Sequence, residues 1–330
     1  MTATVPTNVV TGLLGAGKTS LIRRLLATSP SDERWAVLVN EMGQVGIDEA
    51  LFAGSGGTVR ELPGGCLCCT LGVPFRVAVV DLLRRVRPHR LIVEPTGIGH
   101  PAEIVDRLRG PELGSTLSLE TILTVVDPRR LVEQRVRDLD AFRDQVTLAD
   151  GLVASHGDTC GTEDWQRFED LAAACYPPKA FVADARDVDP AWLSEPGGGR
   201  RALISDRHHD HHDLAAEAAP TSEPETGRPA RRATASATAA ACGWLWLSDD
   251  CFDYDALLAA IERLQGVSRL KGVFRTDQGW CAVQHDGGAL VVERSVWRRD
   301  SRVEVIAECA LDWEAIEADL VAALTANASN

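Results

Sequence analysis

"TGLLGAGKTS", residues 11–20, decides how the rest of the chain is read. It fits the pattern G-x-x-x-x-G-K-[ST], with Gly12, Gly17, Lys18 and Thr19 in the fixed places and Gly15, Ala16 and Ser20 completing the nucleotide-binding turn. Glycines let successive backbone N–H groups turn inward onto phosphate oxygens, and a helix starting behind them adds the positive end of its dipole. In such a loop Lys18 is expected to reach the β- and γ-phosphates, and the Thr19 hydroxyl to ligate Mg²⁺. The motif requires a strand before it and a helix after it. "NVV" (8–10) and the pattern over Thr19–Ala27 supply both.

Outward from this loop, short apolar runs without alternation recur as far as Asp184. They are "WAVLVN" (35–40), "RLIVEP" (90–95), "TILTVVD" (121–127), "GLVAS" (151–155) and "KAFVAD" (179–184), and they read as parallel strands buried on both faces. Helical patterns over Val73–Val86, Pro101–Leu108 and Glu163–Cys175 lie between them. The alternation predicts a doubly wound α/β domain with a mostly parallel sheet over residues 1–190, its ligand at the carboxyl ends of the strands. Residues 191–241 are rich in Pro, Gly, Ala, Ser and charge and are expected to form a flexible linker. Residues 242–330 hold five of the eight tryptophans, enough for a small core of their own. Their runs "GWLWL", "RLKGVFRT", "GWCAVQHD", "GALVVERS" and "RVEVI", with helices over Phe252–Leu264 and Trp313–Leu324, predict a smaller α+β domain.

The totals exclude some functions. A net charge of −14 disfavours nucleic acid or an anionic membrane as a standing partner. The first residues carry no basic segment followed by an apolar one, and no apolar run reaches membrane-spanning length, so a cytoplasmic protein is expected. Nine cysteines, an odd number, fit reduced thiols or metal ligands better than a disulfide framework.

A Mg²⁺-nucleotide site needs an acid at the end of a neighbouring strand. "LIVEPTGIGHP" provides Glu94 after an apolar strand, with Gly97 three residues on. An acid-x-x-Gly unit lets the carboxylate hold the metal's water shell while the Gly97 N–H detects the γ-phosphate, so Lys18, Glu94 and Gly97 are the candidate catalytic group. "NEMGQVGID" (40–48) brings Glu41, a further Mg²⁺ candidate beside Thr19 and Glu94, and Asp48; both also read as solvated acids of a surface turn. No residue identifies itself as the one that orients the attacking water. Between these segments "ELPGGCLCCTL" (61–71) crowds Cys66, Cys68 and Cys69 behind a Gly-Gly turn, too tightly for the paired spacing of a closed zinc ribbon.

Taken together, "GLLGAGKTS", "VLVNEMGQVGIDEALF", "ELPGGCLCCTL", "RLIVEPTGIGHP", "FRDQVTLAD", "RLKGVFRT" and "DSRVEVI" resemble the CobW-type metal-handling P-loop GTPases, relatives of the UreG and HypB nickel-insertion proteins. The likeness is strongest to the YeiR-like zinc-binding branch and covers nearly everything except residues 190 to 240. It implies GTP hydrolysis, with a slow intrinsic rate, coupled to holding a transition metal (Zn²⁺, with Co²⁺ the alternative) and delivering it to a client metalloprotein. It also implies a CobW-type C-terminal domain and Cys66, Cys68 and Cys69 as metal ligands. Three thiolates so spaced can wrap one face of a soft cation and leave a position open, which suits transfer better than permanence. Incidental cysteines and a redox role for the Cys68–Cys69 pair stay open beside that reading. So do a metal buffer gated by nucleotide without hydrolysis, cobalt delivery for cobalamin synthesis or a hydratase, and a homo-oligomer.

The chain departs from the family where guanine is read. Asn-Lys-x-Asp is expected after a strand, but "GLVASHGDT" places Ser155 and His156 in the first two positions and keeps only Asp158. That carboxylate can accept from both the N1–H and the amine of guanine, which predicts a weakened but retained preference for GTP over ATP. "RHHDHHD" (207–213) holds four of the eight histidines, His208, His209, His211 and His212. They read either as a secondary metal-collecting arm or as a solvated linker with incidental affinity.

Overall fold

The computed structural model describes residues 4–39, 58–61, 73–97, 101–194, 223–235, 239–285 and 290–325. The chain divides into two units, Met1–Cys175 with Lys179–Arg201 and Tyr176–Pro178 with Ala202–Asn330.

In the first unit, seven strands lie side by side in the order β3-β2-β4-β1-β5-β6-β7, and every registered pair is parallel. They are β1 (Val5–Thr11), β2 (Trp35–Val39), β3 (Thr58–Glu61), β4 (Arg90–Glu94), β5 (Leu117–Val126), β6 (Gly151–Ala154) and β7 (Phe181–Asp184). The helices are α1 (Lys18–Ala27), α2 (Val73–Val86), α3 (Pro101–Arg109), α4 (Gln134–Arg137), α5 (Asp140–Leu148) and α6 (Thr162–Ala174). Alternate residues of β5 and β6 serve two apolar clusters. Leu123, Val125 and Val153 join Leu21, Ile22, Leu25 and Leu26 of α1. Val126, Leu152 and Ala154 join Phe142, Val146 and Phe168 of α5 and α6. Both faces of the sheet are thus covered, as the unbroken apolar runs predict. β1 lies at the centre, with β4 on one side and β5 on the other, so its carboxyl end is the switch point of the sheet.

The second unit is a six-stranded antiparallel sheet, β12-β11-β10-β13-β9-β8, carrying two helices. Its strands are β8 (Ala230–Ala235), β9 (Ala240–Trp246), β10 (Val267–Thr276), β11 (Gly279–His285), β12 (Val291–Arg294) and β13 (Ser301–Ala307). Trp246, Phe252 and Phe274 meet edge-to-face or tilted in its core, with centroids 5.3–6.4 Å apart. The helices α7 (Tyr254–Glu262) and α8 (Trp313–Ala322) start where Asp253 and Asp312 accept from the backbone N–H groups of Ala256 and Ala315, at 2.8 and 3.0 Å.

The expected linker reaches too far. "ARRATA" pairs with β9 from Ala230↔Leu245 to Ala235↔Ala240 and closes one edge of the sheet. An edge strand needs little apolar surface, and Arg231 is held by Glu317 and Glu314 of α8 at 3.4 and 3.8 Å. β3, another edge strand, is likewise absent from the sequence reading, since "TVRE" offers a single aliphatic residue. Residues 195–222, with the histidine cluster, lie outside the described residues. No helix among the described residues is long and apolar enough to cross a membrane.

A buried polar latch closes the sheet of the first unit at the end away from the phosphate loop. Asn8 Nδ2 donates to the carbonyls of Thr121 (2.9 Å) and Leu193 (2.8 Å), and Asn8 Oδ1 accepts from Arg90 Nη1 at 2.6 Å. The Arg90 guanidinium lies 5.2 Å from the centroid of the Trp35 ring. Burial pulls its pKa down, against Glu33 and Glu120, which raise it. Asn8→Ala takes one hydrogen bond from that buried cation, which keeps Ser194 and the Leu193 carbonyl, and one from each of the two carbonyls. It should lower the unfolding free energy by about 2–4 kcal/mol, read as a fall in the urea midpoint.

Candidate nucleotide site

The loop between β1 and α1 takes the conformation its glycines were expected to permit. Gly12, Gly15 and Gly17 have φ of 143°, 76° and 92°. Gly12 is also needed for space, and Gly17 is tightly placed. A Cβ on Gly12 would stand 2.3 Å from the Val125 carbonyl oxygen, and one on Gly17 would stand 3.2 Å from the Ser155 Cβ. Lys18 is buried, and its ammonium donates to the Gly12 and Leu13 carbonyls at 3.1 and 3.2 Å, so the charge stays inside the curve of the loop. Arg130 Nη1 donates to the Leu14 carbonyl at 3.1 Å and ties down the tip.

The acid at the end of β4 meets this loop directly. Thr19 Oγ1 donates to Glu94 Oε1 at 3.0 Å, and Glu94 is 1 % exposed. A hydroxyl that gives its proton to a carboxylate keeps its lone pairs for a cation. Hydroxyl and carboxylate oxygen are the hard donors Mg²⁺ selects, so this pair fits the metal. Gly97 follows in contact with the loop itself, since a Cβ there would lie 2.4 Å from the Leu14 nitrogen and 2.8 Å from the Leu13 carbonyl carbon. Thr96 between them is buried, its hydroxyl without a hydrogen-bond partner among the described residues.

On the side where a base would lie, the end of β6 carries Ser155, His156 and Asp158. Ser155 is buried and turns inward, its hydroxyl donating to the Val126 carbonyl at 3.3 Å. It packs under Gly17 and does not point to the surface where His156 and Asp158 stand exposed. His156 takes a left-handed φ of 56°, and Thr159 closes the turn onto its carbonyl through N (2.9 Å) and Oγ1 (3.0 Å).

Two charge-assisted forks flank this turn. Arg129 grips Asp127 at the end of β5 (Nε–Oδ1 2.9 Å, Nη2–Oδ2 2.8 Å) and donates to Thr159 Oγ1 at 2.9 Å. Arg186 grips Asp184 at the end of β7 at the same two distances, 2.9 and 2.8 Å. Burial would raise the Asp127 pKa, but the Arg129 hydrogen bonds outweigh it and hold the carboxyl below its usual value. The hydrogen bond from Arg186 holds Asp184 down likewise, against burial. Both arginines are raised first by these partners, and the Asp158 carboxylate adds to each. Asp158 therefore lies in the field of two guanidiniums already fixed in place.

The structure thus brings together Gly12, Gly15, Ala16, Gly17, Lys18, Thr19, Ser20, Glu94 and Gly97 at one edge of the sheet, with the turn Ser155–Asp158 beside them. Glu41, Asp48, Cys66, Cys68, Cys69, His208, His209, His211 and His212 lie outside the described residues. Among the described residues no group of three or more His, Cys, Asp or Glu side chains is placed to hold a metal ion. Sequence reasoning missed Arg129, Arg130 and Arg186 and also Gln145, a buried residue of α5 whose amide reaches Gly97 at 3.1 Å. The repeated Asp-x-Arg at two strand ends, "DPR" and "DAR", is the signal that would have found two of them.

Residues 6–183 match the family model described as CobW/HypB/UreG, nucleotide-binding domain, and residues 241–324 match the cobalamin synthesis protein cobW C-terminal domain. The chain is 37% identical to the zinc chaperone YeiR of Escherichia coli K12, over 96% of this chain and 97% of that protein. It is 29% identical to the zinc chaperone CobW of Sinorhizobium sp, covering 65% of this chain and 68% of the relative. With the zinc chaperone YjiA of E. coli K12 it shares 28% identity over 59% of this chain and 62% of that one. The phosphate loop, its buried acid and the sheet that holds them are therefore those of a member of the CobW/HypB/UreG family, to which this chain belongs.

Proposed function

We propose that this chain is a cytoplasmic GTP-hydrolysing metallochaperone. It holds a transition metal, zinc ahead of cobalt, on Cys66, Cys68 and Cys69 and hands it to a client metalloprotein. The observation that carries the reading is the Thr19–Glu94 hydrogen bond at the mouth of a glycine loop that already encloses Lys18. The names of the relatives, zinc chaperones in each case, support the cargo. The six cysteines among the described residues are free, in keeping with a reducing compartment.

In this reading the loop N–H groups and Lys18 bind the β- and γ-phosphates, and Thr19 with Glu94, joined by Glu41, holds Mg²⁺. When bound, that ion neutralises charge on the phosphate oxygens. Gly97 senses the terminal phosphate through its backbone, and Asp158 accepts from guanine beside a turn tied down by Arg129 and flanked by Arg186. Three thiolates leave a coordination position open, so a client's ligand enters before the donor's leave. A slow intrinsic rate suits a switch that waits for its client. A metal buffer gated by nucleotide without hydrolysis is the second reading. It is favoured by the inward turn of Ser155, which removes one base contact.

Lys18→Ala should abolish phosphate release from GTP, a loss of at least about 10²-fold, while zinc binding to the protein remains. A wild type that releases no phosphate with or without zinc supports the buffer. Changing all of Cys66, Cys68 and Cys69 to Ser should remove the tight zinc site in a competition titration; deleting residues 205–214 separates off any share held by the histidines. Wild-type protein should prefer GTP to ATP, and Asp158→Ala should cut that preference roughly tenfold or more, the value of two hydrogen bonds to a charged acceptor. Equal wild-type affinities for the two nucleotides would end the guanine assignment.

A further inference from the structure

Gln145 is fully buried on α5, and its Nε2 donates to the Gly97 carbonyl at 3.1 Å. Chemistry settles which amide atom faces Gly97, because a carbonyl oxygen only accepts. The Gln145 backbone carbonyl in turn accepts from Thr124 Oγ1 of β5 at 2.7 Å, which fixes the residue against the centre of the sheet. Its remaining amide atom, Oε1, is buried with no hydrogen-bond partner among the described residues. An apolar side chain of the same volume would avoid that unmatched oxygen, so the bond to Gly97 is what the glutamine contributes here.

Gly97 has no slack on its other side. Its Cα lies against the Leu13–Leu14 backbone so closely that a Cβ would stand 2.4 Å from the Leu14 nitrogen. The residue is gripped between the phosphate loop and α5, and its one side-chain hydrogen bond among the described residues comes from Gln145. Releasing the carbonyl frees ψ at a glycine, the residue type with most conformational freedom to recover.

We infer that Gln145 is a positioning residue that holds the Gly97 carbonyl and so sets how the Gly97 backbone meets the terminal phosphate, making the protein distinguish GTP from GDP. The inference rests on the reading of Gly97 as the phosphate sensor. Gln145 itself lies behind Gly97 and acts through it, which separates its effect from that of Lys18 or Thr19.

The test measures, on the full chain, affinities for GDP and for a non-hydrolysable GTP analogue together with steady-state GTP hydrolysis. Gln145→Met keeps the volume and loses the donor. Its GDP affinity should match wild type, which also shows that the site is folded, while analogue affinity and kcat fall about tenfold, the value of one buried hydrogen bond. Gln145→Glu supplies a second readout. Burial raises the pKa of that carboxyl, to as much as about 8–9, so at about pH 5.5 it is protonated and still donates to Gly97, and by about pH 10 it is ionised and faces the carbonyl with negative charge. Its analogue-to-GDP preference should therefore equal that of wild type in acid and fall behind it as pH rises. A wild-type analogue-to-GDP ratio and kcat in Gln145→Met, or a preference in Gln145→Glu that tracks wild type at every pH, overturns the inference. Should Gln145→Met not fold, the pH profile of Gln145→Glu decides alone. A wild type that binds neither nucleotide sinks the underlying GTPase reading instead.

Discussion

The site depends on one buried carboxylate. Glu94 ends a fully buried strand behind the apolar run Leu91–Val93, and it stands nearly free of solvent beside the first turn of α1. Removing a carboxylate from water costs several kcal/mol unless charge and hydrogen bonds compensate. The Thr19 hydroxyl supplies one such bond, and a bound divalent cation would supply far more. The arrangement therefore makes sense as half of a metal site, and the rest follows from it. Parallel pairing places the ends of β4 and β1 at the same edge, Gly12 lets the loop pass close over β5, and Gly97 lies flush against the loop because nothing larger fits.

The base side shows how a motif can erode without its neighbourhood collapsing. Ser155 no longer presents an amide to a base; its hydroxyl is satisfied by the Val126 carbonyl below. The turn after it is nonetheless held rigidly, by Thr159 onto His156 and by Arg129 onto both Thr159 and Asp127. Arg186 and Asp184 repeat the same fork on the far side. Fixed guanidiniums give planar, permanently charged surfaces that a mobile lysine stem does not. In the proposed reading, base recognition falls to Asp158 and to the shape of a held turn, with fewer direct contacts than the full motif would make.

Local chemistry was legible in the sequence, and distant pairing was not. The phosphate loop is contiguous, and the central strands announce themselves because burial on both faces forces unbroken apolar runs such as "WAVLV". β3 and β8 escaped because edge strands bury little and both carry charge. The Asn8 latch joins residues 113 and 185 positions apart, and Gln145 meets a backbone carbonyl 48 residues away. Neither bond leaves a local pattern, since a backbone carbonyl is the same for every residue. "FRDQVTLAD" could be matched to a family without revealing that its glutamine is buried and bonded to the Gly97 carbonyl.

The sheet also bears on how nucleotide and metal could communicate. Val39 of β2 is registered opposite Glu94 on one side and Glu61 on the other, so Glu94 and Glu61 end two strands separated by a single neighbour. At the usual strand spacing that is about 10 Å between Glu94 and the last residue of β3. Cys66 comes five residues after Glu61, a chain length that spans at most about 17 Å. Parallel strands further require that the chain leave β3 at the same edge that carries the glycine loop after β1. If the cysteines hold the metal as proposed, a linkage to the nucleotide needs no long path through the core. It needs only that a change at Glu94 be felt across one strand, β2, as far as Glu61.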